Sequence, residues 1–163
     1  MAVPSRNANE ENVLANERTF FITSSIEGRR ALLQTQRSAI LFIEVLPEYR
    51  SQGKFLLHEF VVMPDHFHLL LTVDSESSIE GAVQLIEGGF AFQAGRKIGL
   101  RAPIWQKGFS DARVSTVSGY DARRKYIHEN PVTRGLCSAP HEFPFSSARS
   151  GFQLDPRPKG LSG

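Results

Sequence analysis

Two histidines flank one phenylalanine in Val62-Met63-Pro64-Asp65-His66-Phe67-His68-Leu69-Leu70-Leu71, and an apolar run of strand length follows. Along a strand, residues i and i+2 share a face, so His66 and His68 would stand side by side while Phe67 points into a core. Two imidazoles about 6–7 Å apart, as the rise per residue sets, can converge on one metal ion. They can equally be a hydrogen-bonded pair at a strand edge. Farther along, Tyr126 and Asn130 stand four apart in a helical stretch and so share a face. Tyr126 offers a phenolic oxygen and Asn130 an amide oxygen. Two imidazoles plus an amide oxygen make a three-donor set with positions left open. Without thiolates, that set suits Mg2+, Mn2+ or another hard divalent ion. Such an ion polarises a scissile phosphate as a Lewis acid, and a tyrosine aimed at that phosphorus can attack it and form a covalent intermediate. The plain alternatives are a helix tyrosine packed on a sheet and an asparagine closing a helix before Pro131.

Composition narrows the setting. At 163 residues and 40% hydrophobic, the chain suits one domain with a sizeable core and is unlike a disordered one. Its one cysteine, Cys137, rules out an internal disulfide and Cys-based zinc motifs, and fits a reducing cytoplasm. The first residues lack a basic segment followed by an apolar run, so no secretory signal is expected. No run approaches the roughly 18 apolar residues of a membrane span. Charge is unevenly placed: residues 1–95 carry 7 Lys/Arg against 12 Asp/Glu, and residues 96–125 carry 8 against 2. The basic block comprises Arg96, Lys97, Arg101, Lys107, Arg113, Arg123, Arg124 and Lys125. It can bind a polyanion or simply face water.

The elements that must position these residues can be read in order. Residues 1–17 are polar and aperiodic and are expected to form a flexible arm. Thr19–Ile26 is β-branched and aromatic and predicts a first strand. Apolar positions from Gly28 to Pro47 recur at spacings of three, four and seven, which predicts an amphipathic helix ended by Pro47. Phe55–Met63 and His66–Val73 predict two arms of a hairpin turning at Pro64-Asp65. Ser77 with Glu80 matches a capping box opening the next helix, in which Gly88-Gly89 predicts a kink where something packs closely. Pro103–Val117 predicts a fourth strand or an irregular strand-loop. A helix from Ser118 or Gly119 to Asn130 is then stopped by Pro131, and the Pro, Ser and Gly after Ser138 predict a loop or wrapping coil. The order β-α-β-β-α-β predicts an α+β, ferredoxin-like antiparallel sheet with an added C-terminal helix carrying the tyrosine. One domain is expected over 18–150, followed by a flexible tail over 151–163.

The chain resembles the single-tyrosine HUH transposases, in which His, a hydrophobic residue and His follow one another, and within them the REP-associated tyrosine transposases. The resemblance rests on Val62-Met63-Pro64-Asp65-His66-Phe67-His68-Leu69-Leu70, on Ile104-Trp105-Gln106-Lys107-Gly108-Phe109, and on Tyr126-Ile127-His128-Glu129-Asn130-Pro131-Val132-Thr133-Arg134-Gly135-Leu136. Phe145-Ser146-Ser147-Ala148 adds to it, so it spans roughly Arg18 to Ser150. It implies that His66 and His68 bind a divalent metal ion, Mg2+ or Mn2+, with Asn130 third. Insertion-sequence relatives typically carry Gln there. It implies that Tyr126 attacks single-stranded DNA, leaving a 5′-phosphotyrosine and a free 3′-hydroxyl, on a substrate with a foldback hairpin. It leaves open a monomer or a homodimer exchanging the tyrosine helix.

The basic block would then hold phosphates, and Trp105 and Phe109 could stack unpaired bases, although core packing accounts better for Phe109. Tyr120 and Tyr49 compete less well for the nucleophile's role. Tyr120 lies about 600° round the helix from Tyr126 at 100° per residue, on a different face. His128, two residues past Tyr126, is expected at the surface or on DNA. The other function classes are a hairpin-binding protein without cleavage and a metal phosphodiesterase that activates water.

Overall fold

The computed structural model describes residues 17–163. The arm expected over 1–17 therefore lies outside the described residues except for Glu17. Strand β1 (Arg18–Ser25) is followed by a short 3-10 turn at Glu27–Arg29 and by helix α1 (Gln36–Ser51). Then come β2 (Leu56–Met63), β3 (His66–Val73), α2 (Ile79–Ile98), β4 (Ser110–Val114) and α3 (Val117–Thr133). The four strands pair antiparallel in the order β2-β3-β1-β4, which is the expected ferredoxin-like sheet with one helix added.

Both faces of the sheet are covered. Ile22, Phe67, Leu69 and Leu71 pack with Phe42 and Leu46 of α1 and with Val83, Ile86 and Phe90 of α2. On the other face, Phe21, Val61, Met63 and Leu70 pack with Tyr120 and Ile127 of α3. Every residue of β3 is buried as a result. That is why the strand reads as a nearly continuous apolar run and not as an alternation.

Several boundaries differ from the sequence reading. Helix α1 starts at Gln36, capped by the Thr35 side chain, and runs past Pro47. Pro47 is on the exposed side, and a proline there forgoes one helical hydrogen bond near the end of the element. Helix α2 is capped by Ser78, whose side chain accepts from the Gly81 amide, and not by Ser77. It runs unbroken through Gly88-Gly89; a Cβ at Gly89 would sit 3.0 Å from Tyr49 Cε2 and 3.1 Å from Val45 Cγ1, so α1 and α2 approach closely there without a kink. Strand β4 covers only Ser110–Val114, preceded by an isolated bridge between Ile26 and Trp105. Helix α3 begins one residue before the expected start, capped by Thr116, and carries Pro131 inside its last turn.

The final stretch, expected as a flexible tail, is a coil fastened to the sheet. Asp155 takes a two-point bond from Arg50 (2.9 and 3.0 Å) and a third from the Leu57 amide (2.8 Å). Ser162 bonds through its backbone to Ser115 (2.9 Å) and Val117 (2.8 Å). Asp155 thereby covers part of the open edge of β2. Among the described residues no helix is long and apolar enough to cross a membrane.

Candidate active site

His66 and His68 stand side by side on the face of β3 under α3, with ring centroids 4.8 Å apart and planes at 78°. Each is oriented by a neighbour. His66 donates from Nδ1 to Asp65 Oδ1 at 2.7 Å, which leaves Nε2 with its lone pair. Asp65 is held in turn by Arg29 Nε at 2.9 Å. His68 Nδ1 lies 2.8 Å from Thr23 Oγ1, its direct partner across the β1–β3 ladder. Phe21 stacks on the His68 ring at 5.2 Å.

Burial holds both imidazoles neutral. It lowers His66 despite the carboxylate of Asp65. It carries His68 down to about 3, helped by the neighbouring His66 imidazole and by the charges of Arg134 and Arg123. For Asp65, burial pushes upward, but the bonds from His66 and Arg29 outweigh it and keep the carboxyl low. Neutral imidazoles are the form a cation needs.

Among the described residues, two buried side-chain polar atoms have no hydrogen-bond partner: His68 Nε2 and Asn130 Oδ1. A buried lone pair without a donor is costly, and a bound cation is one kind of partner that satisfies such an atom. No group of three His, Cys, Asp or Glu that could hold an ion occurs among the described residues. The set that fits is His66, His68 and the amide oxygen of Asn130, two nitrogens and one oxygen.

Helix α3 brings the tyrosine to the same place. Tyr126 is 48% exposed, and its ring meets His68 edge-on at 5.3 Å and Phe21 at 5.9 Å. Tyr120 is 3% exposed, and burial pushes its hydroxyl up to about 12. Tyr49 packs against α2 beside Gly89, on the sheet's other side.

The expected DNA-binding residues divide between two faces. Phe20 and Phe21 are adjacent on β1 and point oppositely. Arg123 lies 4.5 Å over the Phe21 ring, whereas Arg113 lies 5.8 Å over Phe20. Arg123 and exposed Lys125 accompany Tyr126 on α3. Arg124 is exposed but binds Glu59 at 3.1 Å. Arg96 and Lys97 are exposed in the last turn of α2, and Arg101 and Lys107 are exposed in the following coil. The basic block, contiguous in sequence, is not one surface. Trp105 donates from Nε1 to the Glu87 carbonyl at 2.9 Å and packs against Phe42, Phe67 and Phe90 on the α1–α2 side. Phe109 packs against the same core.

His128 departs from the expectation of a surface or DNA contact. Its Nε2 is 2.6 Å from Glu59 Oε1, and its side chain is largely covered. Thr23, Phe21 and Glu59 escaped the sequence reading because cross-strand register and face are not legible in one chain. Arg134 left a signal: it stands four residues past Asn130, one turn on, and its charge reaches both histidines.

A family model for IS200-like transposases matches residues 19–130. No curated protein matches. The solved structure of a REP-associated tyrosine transposase bound to a REP hairpin superposes with a TM-score of 0.64 at 23% identity, covering 100% of this chain and 95% of that one. A putative transposase from Deinococcus radiodurans R1 superposes with a TM-score of 0.55 at 20% identity, covering 80% of this chain and 97% of that one. At these identities the two structures establish the likeness of fold.

Proposed function

The chain belongs to the IS200-like transposase family, and on that premise we propose that it is a metal-dependent strand transferase of the single-tyrosine HUH type, in the REP-associated branch. Its substrate is single-stranded DNA beside a foldback hairpin. The observation that carries the reading is the pair of unsatisfied donors, His68 Nε2 and Asn130 Oδ1, on the side of the sheet where half-exposed Tyr126 meets His68. The structure that superposes over this whole chain is itself bound to a REP hairpin, which supports the substrate class.

His66, His68 and Asn130 would hold Mg2+ or Mn2+, which when bound supplies Lewis-acid polarisation of the scissile phosphate. Asp65 and Thr23 fix the orientation of the two imidazoles, which would present a nitrogen of each to such an ion. Tyr126 attacks phosphorus through its phenolic oxygen. The new O–P bond forms as the bond to the 3′ oxygen breaks, the phenol releases its proton to solvent, and the leaving oxygen takes one up. The products are a 5′-phosphotyrosine and a free 3′-hydroxyl. A 3′-hydroxyl attacking that phosphotyrosine reverses the exchange, rejoins DNA and frees Tyr126. Phosphodiester and phosphotyrosine interconvert, so no outside energy source is needed. Arg123 and Lys125 flank the nucleophile with positive charge suited to the strand's phosphates.

The test is cleavage of a labelled single-stranded hairpin, drawn from repeats flanking the gene, with Mn2+ or Mg2+ and with chelator. A covalent protein–DNA adduct that needs metal and disappears in Tyr126→Phe is expected. Cleavage persisting in Tyr126→Phe would point to activated water instead. Tight hairpin binding without cleavage under either metal would point to a binding module.

A further inference from the structure

Glu59 is a carboxylate 7% exposed on the α3 face of β2, away from the histidines and from any role assigned above. It collects three donors. His128 Nε2 lies 2.6 Å from Oε1, Ser147 Oγ donates to Oε1 at 2.6 Å, and Arg124 Nε donates to Oε2 at 3.1 Å. Ser147 also accepts from the Phe60 amide at 2.9 Å, which ties the C-terminal coil into the same knot. Two of the three donors belong to the tyrosine helix.

Their position on that helix matters. At about 100° per residue, Arg124 and His128 lie on one flank of α3 and Tyr126 with Asn130 on the other. Tyr126 and His128 are about 200° apart. Ile127, fully buried, points between them into the sheet. The helix therefore rests on Ile127 and is held down at one flank by Glu59, while the other flank carries the nucleophile and the third donor. A second feature aims Glu59 there. The β2–β3 register slips between Leu57 and Glu59, so His58 is the extra residue of a bulge. Such bulges re-aim side chains. Here two consecutive side chains reach the α3 side: His58 meets the ring of Tyr120, and Glu59 meets Arg124 and His128.

We propose that Glu59 is a positioning residue that sets the roll of helix α3, and through it the alignment of Tyr126 and Asn130 with the histidine pair. The inference rests on the Tyr126 chemistry proposed above. Side-chain tips lie about 5–6 Å from a helix axis, so a roll of about 10° moves the end of Tyr126 by about 1 Å. A misplacement of about 1 Å can cost about 100-fold in rate. Burying a carboxylate is a poor way to gain stability, since apolar replacements of buried ionic groups are often neutral or stabilising. Holding one orientation of a helix accounts for its presence better.

The experiment compares the parent with Glu59→Gln and Glu59→Leu in the full chain. Three quantities are read: the single-turnover rate of adduct formation at saturating hairpin, hairpin Kd without metal, and Tm. Adduct formation is expected to slow about 10- to 100-fold in both variants while Kd stays within about threefold. Glu59→Leu separates positioning from stability, because it should remain slow even where its Tm matches the parent's. Adduct rates within about threefold of the parent in both folded variants would overturn the proposal. So would losses of rate, binding and Tm that run in parallel. Crystal structures of the parent and Glu59→Leu give a reading independent of activity. A roll of α3 that shifts Tyr126 relative to His68 is expected, and an unmoved helix would overturn the proposal. A parent that made no adduct would defeat the Tyr126 reading alone, and the helix orientation would still decide this one.

Discussion

Asp65 touches no expected substrate atom, yet it fixes which nitrogen His66 presents. Its Oδ1 takes the Nδ1 proton at 2.7 Å and Arg29 fixes the carboxylate from behind. Removing such a partner from a metal-binding histidine typically costs about 10- to 100-fold in affinity or activity. Asp65→Ala is therefore expected to weaken Mn2+ binding to DNA-free protein by that factor in titration calorimetry; unchanged affinity would detach His66 from the ion. His58 offers a separate residue-level test, remote from the donors. Its Nδ1 faces the Asp155 carbonyl, which can only accept, so the proton sits on Nδ1 and Nε2 accepts from Thr72. Burial lowers the His58 pKa below its ordinary value. The unfolded chain then binds the extra proton first. His58's contribution is complete above the unfolded pKa of about 6.5 and declines as pH falls below it, by at most about 1.4 kcal/mol per pH unit. Urea unfolding of metal-free protein between pH 7.5 and 5.5 should lose stability less steeply in His58→Gln than in the parent. Equal slopes would remove His58 from the account.

The elements were legible where local pattern and tertiary context agree. Strand β3 starts at His66 and ends at Val73, as the sequence predicts, because a proline turn precedes it and burial on both faces favours the apolar run Leu69–Leu71. Helix α1 starts later and ends later than its apolar spacing predicts. Leu33, and partly buried Leu32, pack into the core beside the turn before it, with Leu33 bonded through its amide to the Pro64 carbonyl, while Ala31 is exposed; the helical spacing there belongs to a packed coil. Pro131 signals a stop in the sequence, but a proline in a last turn removes only one bond, and α3 carries it inside. The glycine pair in α2 separates propensity from packing. Gly88 has open space where a Cβ would go, while Gly89 meets Tyr49 and Val45. Alanine favours a helix interior over glycine by about 1 kcal/mol. Gly88→Ala is expected to raise stability by about 0.5–1 kcal/mol, whereas Gly89→Leu should lower it by about 1–3 kcal/mol through overpacking between α1 and α2. Thermal unfolding of the two variants checks both signs, and a stabilising Gly89→Leu would mean that the helices separate freely.

At the scale of the whole molecule, the candidate donors and nucleophile stand out in the sequence through the family resemblance, while the His-x-His spacing and the i, i+4 pair alone leave plain alternatives. The charge pattern could not be placed, because the sheet sorts neighbours onto opposite sides. Arg113 stands over Phe20 and Arg123 over Phe21, although the two phenylalanines are consecutive. The cations beside Tyr126, Arg123 and Lys125, are therefore a smaller set than the sequence block. On the proposed reading, a single strand running past Tyr126 would meet Arg123 and Lys125. Each phosphate contact on single-stranded DNA adds about 0.7 to the slope of log affinity against log salt. Replacing both residues by alanine should flatten that slope by up to about 1.4 for a hairpin carrying a single-stranded flank, and should change it little for the same hairpin trimmed of its flank. The substrate pair is its own control, since both DNAs share the stem and any general loss of basic charge would act on both. Equal flattening on the two DNAs would place Arg123 and Lys125 on the stem, and the path of the cleaved strand would then have to leave α3 on its other flank, beside Arg124 and His128.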